Sequence, residues 1–138
     1  NHKTADKAGV NTTGNASKAG YAGTVETNPY TFYVKPGEKS LTEMMRDVDQ
    51  GVYVTSVTGL HAGTNAITGD FSIQCGGFII QNGMKAEAVT SFTISGNFFD
   101  MLKQIQEIGS DLQFQMPRGF TMVGAPSIWV GKLSVAGE

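Results

Sequence analysis

The chain has 138 residues, of which 40% are hydrophobic and 16% charged, and its formal net charge is −2. This length and composition predict one globular domain. The weak negative charge, with no cluster of basic residues, argues against a nucleic-acid partner. A single cysteine excludes an intrachain disulfide and favours a reducing compartment, and no apolar run is long enough to span a bilayer. The chain opens on Asn1 rather than Met, so we expect it to be part of a longer protein.

The first 28 residues are small and polar, with several glycines, asparagines and threonines. A short helix is predicted over residues 2–8 and irregular structure after Gly9, because such composition packs poorly. We therefore expect residues 1–28 to be an irregular segment of a longer protein and residues 29–138 to form a single β domain.

The next segments alternate between strand and helix signals. Residues 31–35 are β-branched and aromatic, which predicts a strand. Ser40 and Glu43 have the spacing of a capping box, and the apolar residues that follow recur at helical spacing, which predicts a helix that ends at Gly51. Residues 52–58 are rich in β-formers and predict a second strand.

A glycine-rich loop over residues 59–72 leads into a long strand over residues 71–80. Gly76 and Gly77 interrupt that strand, which indicates a bulge or the close approach of another backbone. Asn82-Gly83 is typical of a tight hairpin turn, and residues 88–95 are the expected partner strand.

The last third of the sequence predicts a helix from Asn97 to Gly109, an irregular stretch over residues 110–125 and a final strand over residues 127–135. The sum is about six strands, mostly antiparallel, and two helices. The predicted fold class is α+β, mainly β, with a curled antiparallel sheet or partial barrel of about six strands and two packed helices.

Residues suited to catalysis or metal binding are few. There are two histidines, His2 and His61, and one cysteine, Cys75, with no His-Glu-x-x-His pattern. We therefore predict no metal site and no catalytic residue formed by this chain alone. A hydrolase that uses Cys75 and His61, with Asp70 orienting the imidazole, is a remaining alternative. The other interpretation is a buried cysteine and a loop histidine bonded to nearby backbone or to Asp70.

The glycine-rich loop also suggests a place for an extended peptide. Its polar groups could serve the loop itself, because Asn and Asp side chains often bond turn backbone. Alternatively they line a cleft, and the glycines of the following strand admit a peptide backbone by strand addition. The candidate peptide-cleft residues are His61, Asn65, Asp70, Gly76 and Gly77.

The motif Gly-Leu-His-Ala-Gly-x-Asn-x-x-Thr-Gly-Asp-Phe-Ser at residues 59–72 resembles the C-terminal domain of the TldD/PmbA family. That family was once labelled modulators of DNA gyrase and is understood as peptide-processing metalloproteases. Further motifs similar to the family's follow the same order along the chain: Thr13-Gly14-Asn15, Pro36-Gly37-Glu38-Lys39-Ser40, Gly77-Phe78, Gly96-Asn97-Phe98-Phe99, Ile108-Gly109-Ser110-Asp111-Leu112 and Ala125-Pro126-Ser127. The resemblance implies a barrel-like, mainly antiparallel C-terminal β domain over residues 29–138.

The resemblance is closer to the PmbA (TldE) branch. In the TldD branch a His-Glu-x-x-x-His helix and a downstream cysteine bind the metal, and residues 113–122, where that cysteine is expected, contain none. The resemblance thus implies a non-catalytic subunit with no cofactor of its own. It would act in the cytoplasm with a TldD-like subunit that holds zinc, and the pair would process or degrade unfolded peptides.

The residues alone leave two other roles open. The chain could be a module that binds peptides or a partner protein without any part in proteolysis. An exposed apolar face would also favour a homodimer of the isolated domain.

Overall fold

The structure is a computed structural model that describes residues 1–117 and 121–137. The chain divides into two compact units. One comprises Asn1–Lys35 and Leu112–Ala125, and the other comprises the remainder. The fold class is confirmed as α+β with mainly β structure. The predicted division after residue 28 stays a prediction.

The first unit begins with the predicted helix, α1 (His2–Ala8). The Asn1 side chain caps it by accepting a hydrogen bond from the Thr4 amide at 3.1 Å. Gly9 ends it in the left-handed region, with φ 64°. Ala5 is the buried residue of this helix.

Short strands make up the rest of the first unit. Strands β1 (Ala16–Lys18) and β2 (Val25–Thr27) pair antiparallel within the stretch after Gly9, where the sequence predicted irregular structure. Strand β3 (Thr31–Tyr33) forms a three-stranded sheet with two strands that the sequence did not predict, β8 (Gln113–Phe114) and β9 (Met122–Ala125). The prediction that residues 110–125 are irregular was therefore wrong in part, and residues 118–120 within it lie outside the described residues. Strand β3 runs parallel to β9, an exception to the predicted antiparallel order.

The second unit begins at the predicted capping box. Helix α2 (Leu41–Val48) starts after Ser40, whose hydroxyl accepts from the Glu43 amide while the Glu43 carboxylate accepts from the Ser40 amide. The helix ends three residues before the predicted stop, because Asp49 adopts φ 60°. Met44 is the residue of this helix that is buried.

A four-stranded antiparallel sheet is the centre of the second unit. It contains β4 (Gly51–Thr58), β5 (Asp70–Gln81), β6 (Met84–Asn97) and β11 (Ser134–Ala136), in the spatial order β11-β6-β5-β4. The predicted Asn82-Gly83 turn joins β5 to β6, with φ 51° and 70°. Cys75, Ile80 and Phe92 are buried in this sheet.

Two helices and a separate strand pair complete the second unit. They are α3 (Leu60–Gly63), α4 (Phe98–Lys103), β7 (Ile105–Ile108) and β10 (Ile128–Val130). The prediction of one helix from residue 97 to 109 was wrong beyond Lys103, because the residues of β7 pair with β10 instead. The predicted final strand is broken at residues 131–133, so its two halves join different sheets.

The described part of the chain thus holds eleven strands and four helices, rather than about six and two. The excess strands are mostly two to four residues long, which is too short for a clear periodic signal in the sequence. The strands form four separate sheets, and none of these closes into a barrel within the described residues.

Candidate functional site

The loop between β4 and β5 is held by its own polar side chains. The Asn65 side-chain oxygen accepts hydrogen bonds from the amides of Ile67 at 2.9 Å and Thr68 at 3.2 Å. The Asn65 amide donates to the Asp70 carbonyl at 2.8 Å. Asn65 therefore has the structural role of an Asx turn, one of the two roles that its sequence position allowed.

Asn97 ties this loop to helix α4. Its side-chain amide donates to the Asp70 carboxylate at 2.8 Å and to the Thr68 carbonyl at 2.9 Å. Its side-chain oxygen caps α4 by accepting from the amides of Phe99 at 3.0 Å and Asp100 at 3.4 Å. We call Asn65, Thr68, Asp70 and Asn97 the loop clamp.

A backbone hydrogen bond and a close contact with the Phe99 ring also hold the loop against α4. The Phe98 amide donates to the Gly69 carbonyl at 2.7 Å. Gly69 has φ 82°, and a β-carbon there would lie 2.6 Å from the Phe99 ring. Any other residue would have to adopt this left-handed backbone conformation and displace the Phe99 ring, so the position favours glycine.

The loop clamp also affects the ionisation of Asp70. Hydrogen bonds from the Asn97 amide and the Thr68 hydroxyl stabilise the charged carboxylate, so the pKa of Asp70 lies below its ordinary value. The carboxylate is ionised at neutral pH and accepts hydrogen bonds from Asn97 and Thr68. Its role in this structure is therefore to position the loop.

His61 lies apart from these bonds. It is on the one-turn helix α3, and its side chain is exposed. Within the described residues its ring makes no hydrogen bond, so the expected bond to Asp70 is not formed, and Asn97 takes that place. His61 is thus placed beside the loop clamp but outside it.

Cys75 is buried in the middle of the sheet. It pairs with Val57 on one neighbouring strand and with Phe92 on the other. Burial raises the pKa of its thiol, which disfavours the thiolate that a nucleophile needs. In the described residues the Cys75 thiol has the Ile73 carbonyl as its hydrogen-bond partner and makes no hydrogen bond with His61, so the pairing that the hydrolase alternative requires is not formed.

Gly76 and Gly77 are also buried, and another part of the same sheet occupies the space beside them. A β-carbon at Gly77 would lie 2.0 Å from the Tyr53 carbonyl oxygen of β4. The predicted close approach is confirmed, but the backbone that approaches is β4. Strand β5 has a neighbour on each side, so it presents no free edge here to a peptide. The two glycines also lie six or seven residues from Asp70, roughly 20 Å along the strand.

A second polar contact joins two of the motifs on which the family resemblance rests. The Asp111 carboxylate accepts from the Ser127 amide at 2.9 Å and from the Ser127 hydroxyl at 2.7 Å. The Gly109 amide donates to the Ser127 carbonyl at 2.8 Å. Partial burial alone would raise the pKa of Asp111, but the Ser127 hydrogen bonds outweigh it and hold this pKa below its ordinary value.

Replacing Ser127 with alanine is expected to raise the pKa of Asp111 and to destabilise the chain by about 1 kcal/mol at neutral pH. A carboxyl with a lowered folded-state pKa stabilises the fold above its unfolded pKa and loses that contribution as the pH falls through the folded pKa. The difference between wild type and variant should therefore become smaller at strongly acidic pH. Carboxyl NMR titration and urea unfolding measure both effects, with Ser110→Ala as the matched control. An unchanged Asp111 pKa in Ser127→Ala would contradict this prediction.

Among the described residues, the candidate metal-binding side chains are not arranged as a zinc centre. The Asp70 carboxylate is held by Asn97, the Cys75 thiol is buried, and the His61 ring forms no hydrogen bond with either of them. Across residues 1–117 and 121–137, no three or more His, Cys, Asp or Glu side chains gather closely enough to hold a metal ion. The three protein ligands that a catalytic zinc needs are therefore not brought together by the described residues.

Apolar side chains surround the loop clamp and face solvent. Ile67, at the tip of the loop, is 92% exposed. Four others on α3 and α4 are about half exposed: Leu60, Phe98, Phe99 and Leu102. A cluster of this kind is typical of a surface that contacts another polypeptide. No helix in the described residues has the length and apolar character that would let it cross a membrane.

Known proteins resemble this chain over nearly its whole length. The PmbA/TldA metallopeptidase C-terminal domain matches residues 1–137. The Haemophilus influenzae metalloprotease PmbA homolog is 31% identical over 88% of this chain and 25% of its own. The Saccharolobus solfataricus zinc metalloprotease TldD homolog is 33% identical over 91% of this chain and 29% of its own. The chain thus spans a quarter to three tenths of the length of these relatives.

Solved structures share the fold. A Thermotoga maritima protein described as a modulator of a DNA gyrase is 40% identical, with a TM-score of 0.77 over 99% of this chain and 29% of that one. TldE from Thermococcus kodakarensis also has a TM-score of 0.77, over 96% of this chain and 29% of that one, and at 24% identity it supports the fold alone. Because the family's C-terminal domain matches residues 1–137, this chain belongs to the PmbA/TldD metallopeptidase family and corresponds to the C-terminal domain of its members.

Proposed function

We propose that this chain is the C-terminal domain of a PmbA (TldE)-like subunit that binds no metal. It acts in the cytoplasm with a TldD-like subunit, which supplies the zinc, and together they process or degrade unfolded peptides. Relatives of this chain carry both PmbA and TldD names, so the assignment to the PmbA branch rests on the residues.

The observation that most supports this role is the use of polar side chains in the loop clamp. Asp70, Asn65 and Asn97 direct their hydrogen-bonding groups to the loop and to the start of α4. A carboxylate engaged in this way positions a loop and is poorly suited to act as a ligand or a general base. The role of the clamp is then to present the loop, with His61 and the apolar cluster around it, to a partner or a peptide.

This proposal gives the five candidate residues different roles. His61 is the candidate whose side chain can contact a bound peptide, since it is exposed on α3. Asn65 and Asp70 keep the loop in place, while Gly76 and Gly77 let β4 and β5 approach. The peptide-cleft role is thus proposed for the loop surface.

A binding module without a part in proteolysis is the second candidate. The exposed apolar side chains around the loop clamp favour it equally, because they fit any polypeptide partner. Peptidase activity that requires this subunit would decide in favour of the first candidate.

Zinc content tests the metal part of the proposal. The natural protein that contains this chain, incubated with zinc and dialysed, is expected to retain well under one zinc per chain by mass spectrometry, while a TldD-like protein treated in parallel retains it. His61→Ala and Cys75→Ser should leave the result unchanged. Stoichiometric zinc that either substitution removes would contradict the proposal.

A further inference from the structure

The turn between β5 and β6 carries the one Asn-Gly pair in the sequence, Asn82-Gly83. Asn82 is exposed, whereas Gly83 is buried. In such a pair the backbone nitrogen of the glycine can attack the side-chain carbonyl carbon of the asparagine, because glycine has no β-carbon to hinder the approach. Asn82 therefore has the sequence context of a site that modifies itself, and the surrounding structure sets the rate.

The reaction needs no reagent other than water. The nitrogen of Gly83 gives up its proton and forms a bond to the Cγ atom of Asn82. The bond between Cγ and the side-chain nitrogen breaks, ammonia leaves with that proton, and a cyclic imide remains. Water then opens the imide at either of its carbonyl groups, and the product is aspartate or isoaspartate.

The end of helix α2 holds the attacking nitrogen. The Gly83 amide donates a hydrogen bond to the Asp49 carbonyl at 3.0 Å. A β-carbon at Gly83 would lie 2.8 Å from the Cα atom of Arg46, so the turn lies directly against the last turn of α2. Because this hydrogen bond retains the proton and fixes the nitrogen, Gly83 has to leave Asp49 before it can attack Asn82.

The residue that accepts this hydrogen bond has a strained backbone. Asp49 adopts φ 60° and ψ −58°. The Gln50 amide donates to the Val48 carbonyl across it at 2.7 Å. These features define a γ-turn of the rare, strained kind, which persists only where the surrounding structure holds it. The contact that blocks the reaction therefore depends on α2 remaining in place.

We propose that Asn82 is a site of conversion to aspartate and isoaspartate, and that α2 controls its rate. Conversion is slow while the Asp49 carbonyl holds the Gly83 amide, and it proceeds when α2 opens and releases the turn. Isoaspartate adds an atom to the backbone of the turn, so the two-residue turn can no longer form against α2. The modification is thus a permanent chemical record of the opening of α2, a property beyond the proposed function.

The rate of conversion tests the protection. The natural protein that contains this chain is incubated at mildly alkaline pH, and the peptide that carries Asn82 is followed by mass spectrometry after digestion. A synthetic peptide of residues 78–87 is the unfolded reference. The folded protein should convert Asn82 at least about tenfold more slowly than this peptide, because the reaction requires local opening.

Two variants test whether α2 is the element that opens. Ser40→Ala removes the N-cap of α2, which is eight residues long and opens as one unit. It should speed the conversion about fivefold, the factor that corresponds to a lost cap of about 1 kcal/mol. Asn97→Ala is the matched control, because it removes the N-cap of α4 at the opposite end of β6, and it should change the rate less than about twofold.

Circular dichroism checks that both variants are folded, and urea unfolding checks that the control loses at least as much stability as Ser40→Ala does. Conversion in the folded protein as fast as in the peptide would overturn the proposal. So would the absence of acceleration in Ser40→Ala. Equal acceleration in the two variants would also overturn it, because the reaction would then require global unfolding. None of these results depends on zinc or on peptidase activity, so the proposed function is tested separately.

Discussion

Replacing Gly77 with alanine is expected to lower the free energy of unfolding by about 3 kcal/mol or more. The added β-carbon would lie 2.0 Å from the Tyr53 carbonyl oxygen and 2.9 Å from the Tyr53 carbonyl carbon. Both are backbone atoms of a paired strand, so the clash is relieved only by separating β4 from β5. The midpoint of thermal unfolding should fall by about 10 °C or more.

Gly76→Ala is the matched control for this prediction. The nearest atom to a β-carbon at Gly76 is the Ser56 hydroxyl oxygen at 2.8 Å, which a side-chain rotation can move away. The next contacts, at 3.6 and 3.7 Å, are ordinary. Differential scanning calorimetry should therefore show a much smaller loss for Gly76→Ala. Equal losses in the two variants would contradict the close approach of β4 at Gly77.

Replacing Asn97 with alanine is expected to cause the second largest loss of stability. The lost cap of α4 costs about 1 kcal/mol, and the loss of the solvent-exposed hydrogen bonds to the Asp70 carboxylate and the Thr68 carbonyl adds to it. The loop should loosen as well, which amide hydrogen exchange at residues 65–70 would detect. Urea unfolding gives the total.

The pKa of Asp70 reports on the hydrogen bond from Asn97 independently of the lost cap of α4. Without the Asn97 amide, the largest cause of its lowered pKa is gone, so the pKa should rise toward its ordinary value. A group with a depressed folded-state pKa stabilises the fold above its unfolded pKa, so this contribution is present at neutral pH and lost on acidification. Asn97→Ser is the control, because its hydroxyl oxygen can still cap α4, while it lacks the side-chain amide that donates to Asp70. If its loop exchanged as slowly as the wild-type loop, the clamp would have no role in holding it.

The parts of the fold that the sequence predicted are those set by neighbours in the chain. The capping box of Ser40 and Glu43 spans three residues, and the Asn82-Gly83 turn spans two. Strand β5 was predicted with its interruption, because paired glycines inside a run of β-formers are themselves a local signal.

The parts that were missed depend on distant partners. Residues 105–108 continue a helical pattern, yet they pair as β7 with residues 128–130. Strand β3 lies parallel to β9, some ninety residues further along the chain, and nothing in either short segment indicates the other. Propensity over so few residues is readily overridden by such pairing.

The candidate site shows the same division. The sequence indicated the role of Asn97 at the start of a helix, since an Asn before an apolar segment is a local signal. Its bond to Asp70, 27 residues away, was not predictable from spacing. For Asn65 and Asp70 the sequence could not decide between a turn and a cleft, because that choice depends on which partner completes their hydrogen bonds.

A reconstituted peptidase assay tests the central claim most directly. The natural protein that contains this chain is mixed with its TldD-like counterpart, and cleavage of an unfolded peptide is measured for each protein alone and for the mixture. We predict cleavage in the mixture only, with zinc held by the counterpart. Cleavage by the isolated protein, with stoichiometric zinc bound to it, would contradict the account.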